Sequence, residues 1–155
     1  MNRAEVEREI GRIAAGLKDV LAVGLCGSLA RGDAHTRSDI DIFVITEREF
    51  SLAEQDSLYE AFSPLIARFG RDITVLVYDL DSIKRIPTWH TLSMMKDARF
   101  VHDRAGIADL FAEILRRAEE HGIGYDEREK VFRLREARRV RFSWETTSEE
   151  RACKA

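Results

Sequence analysis

The chain has 155 residues, 25 of them basic and 28 acidic, for a net charge of -3. That length makes one domain, with room for a helical extension but not for a second large domain. The near balance excludes a globally basic nucleic-acid coat, and two cysteines at opposite ends, Cys26 and Cys153, exclude a disulfide scaffold or a Cys-rich zinc site. The opening MNRAEVEREI is charged where a leader would be apolar. No run approaches the roughly 20 apolar residues needed to cross a bilayer, so a cytoplasmic protein is expected.

Val6, Ile10, Ile13 and Leu17 recur at helical spacing with charges between them, which predicts an amphipathic helix from Asn2 to Asp19. VLAVGLC, Val20 to Cys26, is short, apolar and β-branched, and predicts a buried strand. Gly27 and Ser28 break it, and a polar loop runs from Arg31 to Ser38. DIDIFVIT, Asp39 to Thr46, predicts a second strand. Leu52, Leu58, Phe62, Leu65, Ile66 and Phe69 predict a helix ending near Gly70. DITVLVY, Asp72 to Tyr78, predicts a third strand. The stretch with Pro87 and Trp89 has no clear pattern, and Phe100-Val101 is a short strand candidate. Leu110, Phe111, Ile114, Leu115 and Ala118 predict a helix stopped near Gly122. A further helix is expected from Tyr125 to about Trp144, with a loose tail after about residue 145. The fold class is α+β, a small mixed sheet flanked by helices. The division expected is 1–102 for the sheet domain and 103–155 for a helical extension packed on it.

The chemistry concentrates between Gly27 and Val44. A strand that ends on Gly27-Ser28 and opens a helical turn points free backbone N–H groups outward, which makes a phosphate cradle. The glycine lets a phosphate approach the backbone, and the serine adds a hydroxyl. Asp39 and Asp41 are two apart on a strand and share one face. Paired carboxylates repel each other, and a hard cation such as magnesium relieves the repulsion. Asp72, which opens the next strand, can reach the same end of the sheet if the two strands are neighbours. Asp79 and Asp81 are rivals at the far end of that run, and strand parity puts Asp72 and Asp79 on opposite faces. Three carboxylates would hold two ions for in-line phosphoryl displacement. Arg31 or Arg37 would add positive charge beside the phosphates.

The pattern G-S, about ten residues, then D-x-D, with A-R-G and S-D-I-D-I between, resembles the signature of the DNA polymerase β nucleotidyltransferase superfamily, in particular its minimal nucleotidyltransferase branch. The resemblance covers roughly Val20 to Tyr78. It implies a small mixed sheet with helices on one side, and transfer of a nucleoside monophosphate, AMP from ATP, to a hydroxyl. It also implies that Gly27 and Ser28 hold the triphosphate, with Arg31 read beside them as a nucleotide-binding residue from its place in the loop, that Asp39 and Asp41 bind magnesium, two ions in all, and that Asp72 is the third carboxylate. Small members of this branch are often paired with a HEPN-type ribonuclease toxin. An antitoxin that blocks such a toxin by contact is therefore the alternative, and modification of a small molecule such as an aminoglycoside is the third.

Other features carry less. His35 reads as a free loop residue, and His90, His102 and His121 lack metal-ligand spacing. Cys26 reads as a small buried hydrophobe. Trp89 and Trp144 read as packing or interface residues. There is no G-x-x-x-x-G-K-[ST], which argues against a P-loop ATPase. From Arg128 to Arg141 seven basic residues face two acidic ones. That stretch reads either as a solvated helix face or as a contact for RNA or an acidic partner, with Val131, Leu134 and Phe142 packing on the domain or on a second copy of the chain.

Overall fold

The structure is a computed structural model that describes residues 2–85 and 88–135. Its elements follow in chain order: α1 (Arg3–Ala14), β1 (Val20–Cys26), α2 (Gly27–Arg31), β2 (Ile40–Thr46), α3 (Leu52–Phe62), α4 (Pro64–Phe69), β3 (Ile73–Asp79), α5 (Leu80–Arg85), α6 (Trp89–Asp97), β4 (Arg99–Asp103), α7 (Ile107–Glu120), β5 (Ile123–Asp126) and β6 (Val131–Leu134). Four strands form one sheet in the order β3-β2-β1-β4, and β5 and β6 form a separate hairpin.

The sheet is mixed. β1 pairs antiparallel with β2 and β4, whereas β2 and β3 run parallel. A parallel pair needs a crossover, and α3 with α4 supplies it. The single helix expected there is two. Pro64 lacks an N–H and opens α4 at its first position, and Gly70 closes α4 in the left-handed conformation. Ser51 and Glu54 form a capping box that starts α3. β1 is buried along its whole length because it lies between two neighbours and under helices on both faces.

The helices cover both faces, which corrects the expectation of helices on one side. On one face Val6 and Ile10 of α1 and Leu58 and Phe62 of α3 pack on Val23, Leu25, Ile40, Ile42 and Val44. On the other, Leu92, Met94 and Met95 of α6 and Phe111, Ile114 and Ala118 of α7 pack on Cys26, Phe43 and Ile45. Strand alternation gives each central strand two apolar faces, so both need cover. Phe43, Phe100 and Phe111 meet with ring centroids 5.1 to 5.7 Å apart. Gly24 makes room for this cluster, because a Cβ there would lie 2.4 Å from the Arg99 carbonyl oxygen and 2.5 Å from the Phe43 ring.

The helix expected from Tyr125 is not formed in the described residues. The chain makes the β5–β6 hairpin instead. Asp126 Oδ1 accepts the N–H groups of Arg128 and Glu129 at 3.0 Å, which bends the chain into a turn that Lys130 completes at positive φ. Tyr125 packs against Phe132 at 5.0 Å, and Phe132 joins the core, while Val131 and Leu134 are exposed. The helical expectation had Val131 and Leu134 packing on the domain or on a second copy of the chain; in the hairpin Phe132 is the residue that packs on the core, and Val131 and Leu134 stay exposed. The tail after 145, Phe142, Trp144 and the second half of the basic stretch lie outside the described residues. Among the described residues no helix is long and apolar enough to cross a membrane.

Candidate functional site

The end of β1 and the start of β2 lie side by side, so the loop that leaves one strand faces the carboxylate that opens the other. Cys26 pairs in register with Asp41, and on the far side of β2 Asp41 pairs with Thr74 of β3. Gly27 adopts φ +68, a left-handed conformation that favours glycine. A Cβ there would lie 2.3 Å from Asp41 Oδ2, so only a bare backbone can pass this close to the carboxylate. Ser28 follows in the short α2, whose end is capped by Gly32 through bonds to the Ser28 and Leu29 carbonyls. The pairing of Cys26 with Asp41 therefore brings Gly27, the next residue, against the Asp41 carboxylate.

Asp41 is half-buried and Asp39 is exposed. Burial raises the Asp41 carboxyl above its ordinary range, and the charge of Asp39 adds to this; a hydrogen bond from Thr74 and the charges of Arg31 and His90 oppose it. Two acceptor-only oxygen donors, one of them disfavoured as a bare anion, suit a hard divalent cation, which commonly takes one or two carboxylates and completes its shell with water and phosphate oxygens. The residues present fit such an ion.

Asp72 lies at the same end of the sheet. Its carbonyl accepts the Ile40 N–H at 2.9 Å, so Asp39 and Asp72 are each one residue outside the paired strands. Asp72 is exposed, and among the described residues no three His, Cys, Asp or Glu side chains are grouped to hold one ion. The strand position beside Asp41 belongs to Thr74. The rivals are elsewhere. Asp79 pairs in register with Thr46 at the opposite end and accepts the N–H and hydroxyl of Ser82, and Asp81 pairs with Arg85 at 3.2 Å.

The cleft beside Asp41 has a volume of about 230 Å³. Cys26, Leu76 and Met94 give it apolar walls, and Gly27, Thr74, His90, Ser93, Asp97 and Arg31 line the rest with Asp41. Asp41 and Asp97 are its two carboxylates. Cys26 is buried as expected, and its thiol is pushed up to about 12, first by burial and then by the charges of Asp41 and Asp97. Arg31 ion-pairs with Asp97 and, at 3.3 Å, with Asp33. A larger groove of about 500 Å³ adjoins this cleft through the shared residues Arg31 and Asp97.

Thr74 and Asp97 line the cleft without having been expected there, and His90, weighed above only as a metal ligand, lines it too. Thr74 had a usable signal, since it is two residues from Asp72 on the same strand. His90 and Asp97 had none, because α6 follows a stretch without pattern. His35 is taken up inside its own loop, where its N–H donates to the Ser38 hydroxyl at 3.0 Å and its Nδ1 accepts the Arg37 N–H at 3.3 Å. Trp89 is 49% exposed, so it does not serve the packing role expected of it within the described fold.

The family model described as "Polymerase beta, Nucleotidyltransferase" matches residues 8–89, just over half of the chain. The chain belongs to this family. The matched stretch contains β1, β2 and β3, together with Gly27, Ser28, Asp39, Asp41 and Asp72. No curated protein matches the sequence. Among solved structures, a toxin–antitoxin crystal structure with AMP-PNP matches with TM-score 0.56 and 18% identity, over 74% of this chain and 87% of that one. A tri-AMPylated Shewanella oneidensis HEPN toxin in complex with its MNT antitoxin matches with TM-score 0.52 and 16% identity, over 77% and 88%. An MntA-HepT toxin–antitoxin structure matches with TM-score 0.51 and 15% identity, over 76% and 87%. These likenesses establish the fold: the nucleotidyltransferase sheet and helices are shared with chains of such complexes.

Proposed function

We propose that the protein transfers a nucleoside monophosphate, AMP from ATP, to a hydroxyl on a partner protein. The observation that supports this reading is the close approach of Gly27 to Asp41, which sets bare backbone at the end of β1 directly beside a carboxylate. Gly27 and Ser28 would bind the triphosphate through backbone N–H groups and a hydroxyl, and Arg31 would add charge at the mouth of the cleft. Asp39 and Asp41 would hold magnesium, which when bound offsets charge on the phosphates and on the leaving pyrophosphate. Asp72, exposed at the open end beside Asp39, is the proposed third carboxylate, with the acceptor hydroxyl on that side. In the reaction the acceptor hydroxyl would give its proton to the Asp72 carboxylate, its oxygen bonds to the α-phosphorus, the bond from that phosphorus to the bridging oxygen breaks, and pyrophosphate leaves.

The acceptor proposed is a HEPN-type toxin, and the support is the company this fold keeps: one neighbour is a tri-AMPylated HEPN toxin bound to its MNT antitoxin. The test uses ATP labelled at the α or the γ position, magnesium and a HEPN-type protein, with the parent chain beside Asp41→Asn. Transfer of α-label alone, lost in the variant, is the result expected. The second reading is inhibition by contact without transfer. It is favoured by the exposed apolar residues Val131 and Leu134 on the hairpin, an element outside the main sheet. Equal protection from the toxin by parent and Asp41→Asn, with no label transferred, would select it.

A further inference from the structure

Arg31 stands where the two clefts meet, and carboxylates hold it from two directions. Its Nε donates to Asp33 Oδ2 at 3.3 Å, and its Nη1 donates to Asp97 Oδ2. Asp97 is the firmer anchor. Its side chain is only 9% exposed, against 32% for Arg31, and it ends α6, whose Leu92, Met94 and Met95 are fixed in the core. A carboxylate in the last turn of a helix opposes the helix dipole, so its position calls for a partner such as this arginine. Asp33 in turn takes Lys130 from the hairpin turn. The four groups carry two positive and two negative charges, so Arg31 is not neutralised twice. The two bonds engage Nε and Nη1, and a guanidinium has further N–H groups on Nη2.

We propose that Asp97 is a positioning residue for nucleotide binding: it fixes the Arg31 guanidinium at the mouth of the Asp41 cleft and leaves the remaining N–H groups for the phosphates of a nucleoside triphosphate. This rests on the nucleotidyltransferase reading of the same cleft. A free arginine surrenders its rotamer freedom when it grips a phosphate, whereas one already held by a buried carboxylate surrenders less. The immobilisation of one such side chain corresponds to about a three- to tenfold change in affinity.

Calorimetric titration with α,β-methylene-ATP and magnesium tests it on four proteins: the parent chain, Asp97→Asn, Arg31→Ala and the double variant. Each single variant is expected to weaken binding about three- to tenfold, and the double variant is expected to bind no more weakly than Arg31→Ala alone. Asp97→Glu keeps the charge on a longer arm; it should recover part of the affinity when Arg31 is present and none when it is absent. That second cycle serves equally if Asp97→Asn does not fold. Parental affinity in folded Asp97→Asn, or an equal further loss when Asp97 is changed on the Arg31→Ala background, overturns the role. The titration needs no turnover. A chain that binds nucleotide but transfers nothing therefore overturns the function and not this inference, and a parent chain that binds no nucleotide overturns both.

Discussion

Gly27→Ala is the substitution whose cost the structure specifies most closely. The residue sits at φ +68, where a side chain costs about 1–2 kcal/mol. The added Cβ would also lie 2.3 Å from Asp41 Oδ2, well inside the 3.4 Å at which ordinary contact begins. The carboxylate must move by about 1 Å, and forcing packed groups apart in this way costs about 1–3 kcal/mol. The total is about 2–5 kcal/mol, or about 4–20 °C in Tm for a domain of this size. Urea unfolding of four proteins separates the two parts: the parent chain, Gly27→Ala, Asp41→Ala and the double variant. With Asp41 truncated the clash is gone, so Gly27→Ala should there cost only the backbone penalty of about 1–2 kcal/mol. The same cost in both backgrounds would refute the claim that this glycine exists to admit the Asp41 carboxylate.

Other outcomes follow from the same geometry. Gly24→Ala at the centre of β1 meets the Arg99 carbonyl and the Phe43 ring, and should cost at least about 3 kcal/mol in urea unfolding; a loss under 1 kcal/mol would contradict the packing described. Asp103 tests a pH dependence. Burial pushes its carboxyl up, but the backbone N–H groups of Ala108, Ile107, Ala105 and Gly106 outweigh this and hold it below the ordinary range. A depressed folded pKa stabilises above the unfolded value near 3.8 and is lost as pH falls below it, so Asp103→Ala should cost about 1–2 kcal/mol at pH 7 and progressively less in acid. A pH-independent cost would exclude the carboxylate as the cap of α7. Magnesium should raise the Tm of the parent chain, and removing it with a chelator should reverse the gain; Asp39→Asn and Asp41→Asn should each abolish the response. An unchanged magnesium response in Asp41→Asn would place the ion elsewhere.

The sheet was legible because its strands are short apolar runs bounded by glycine or charge: Val20 to Cys26 and Ile40 to Thr46 form almost as read. Gly27, Ser28, Asp39 and Asp41 were legible because the site is local, built from the end of one strand and the start of the next. The hairpin was not. Arg128 to Leu134 is rich in helix-forming residues, and only the capping of a turn by Asp126 overrides them. The far wall of the cleft was also hidden. The Arg31–Asp97 pair spans 66 positions, and α6 is a nine-residue helix with only Leu92, Met94 and Met95 as its buried apolar residues, too short a run for a clear period. The helices on both faces follow from the burial of both sides of β1 and β2, which periodicity in one strand at a time does not reveal.

The reading that everything else depends on is the proposed transfer of a nucleoside monophosphate at the Asp39–Asp41 end of the sheet. It is tested most directly by mass spectrometry of a HEPN-type protein incubated with the chain, ATP and magnesium. An added AMP on a hydroxyl side chain of that protein is expected, with pyrophosphate released in equal amount, and neither product from Asp41→Asn. An unmodified acceptor alongside full inhibition of its activity, or the same AMP addition by Asp41→Asn, would contradict it.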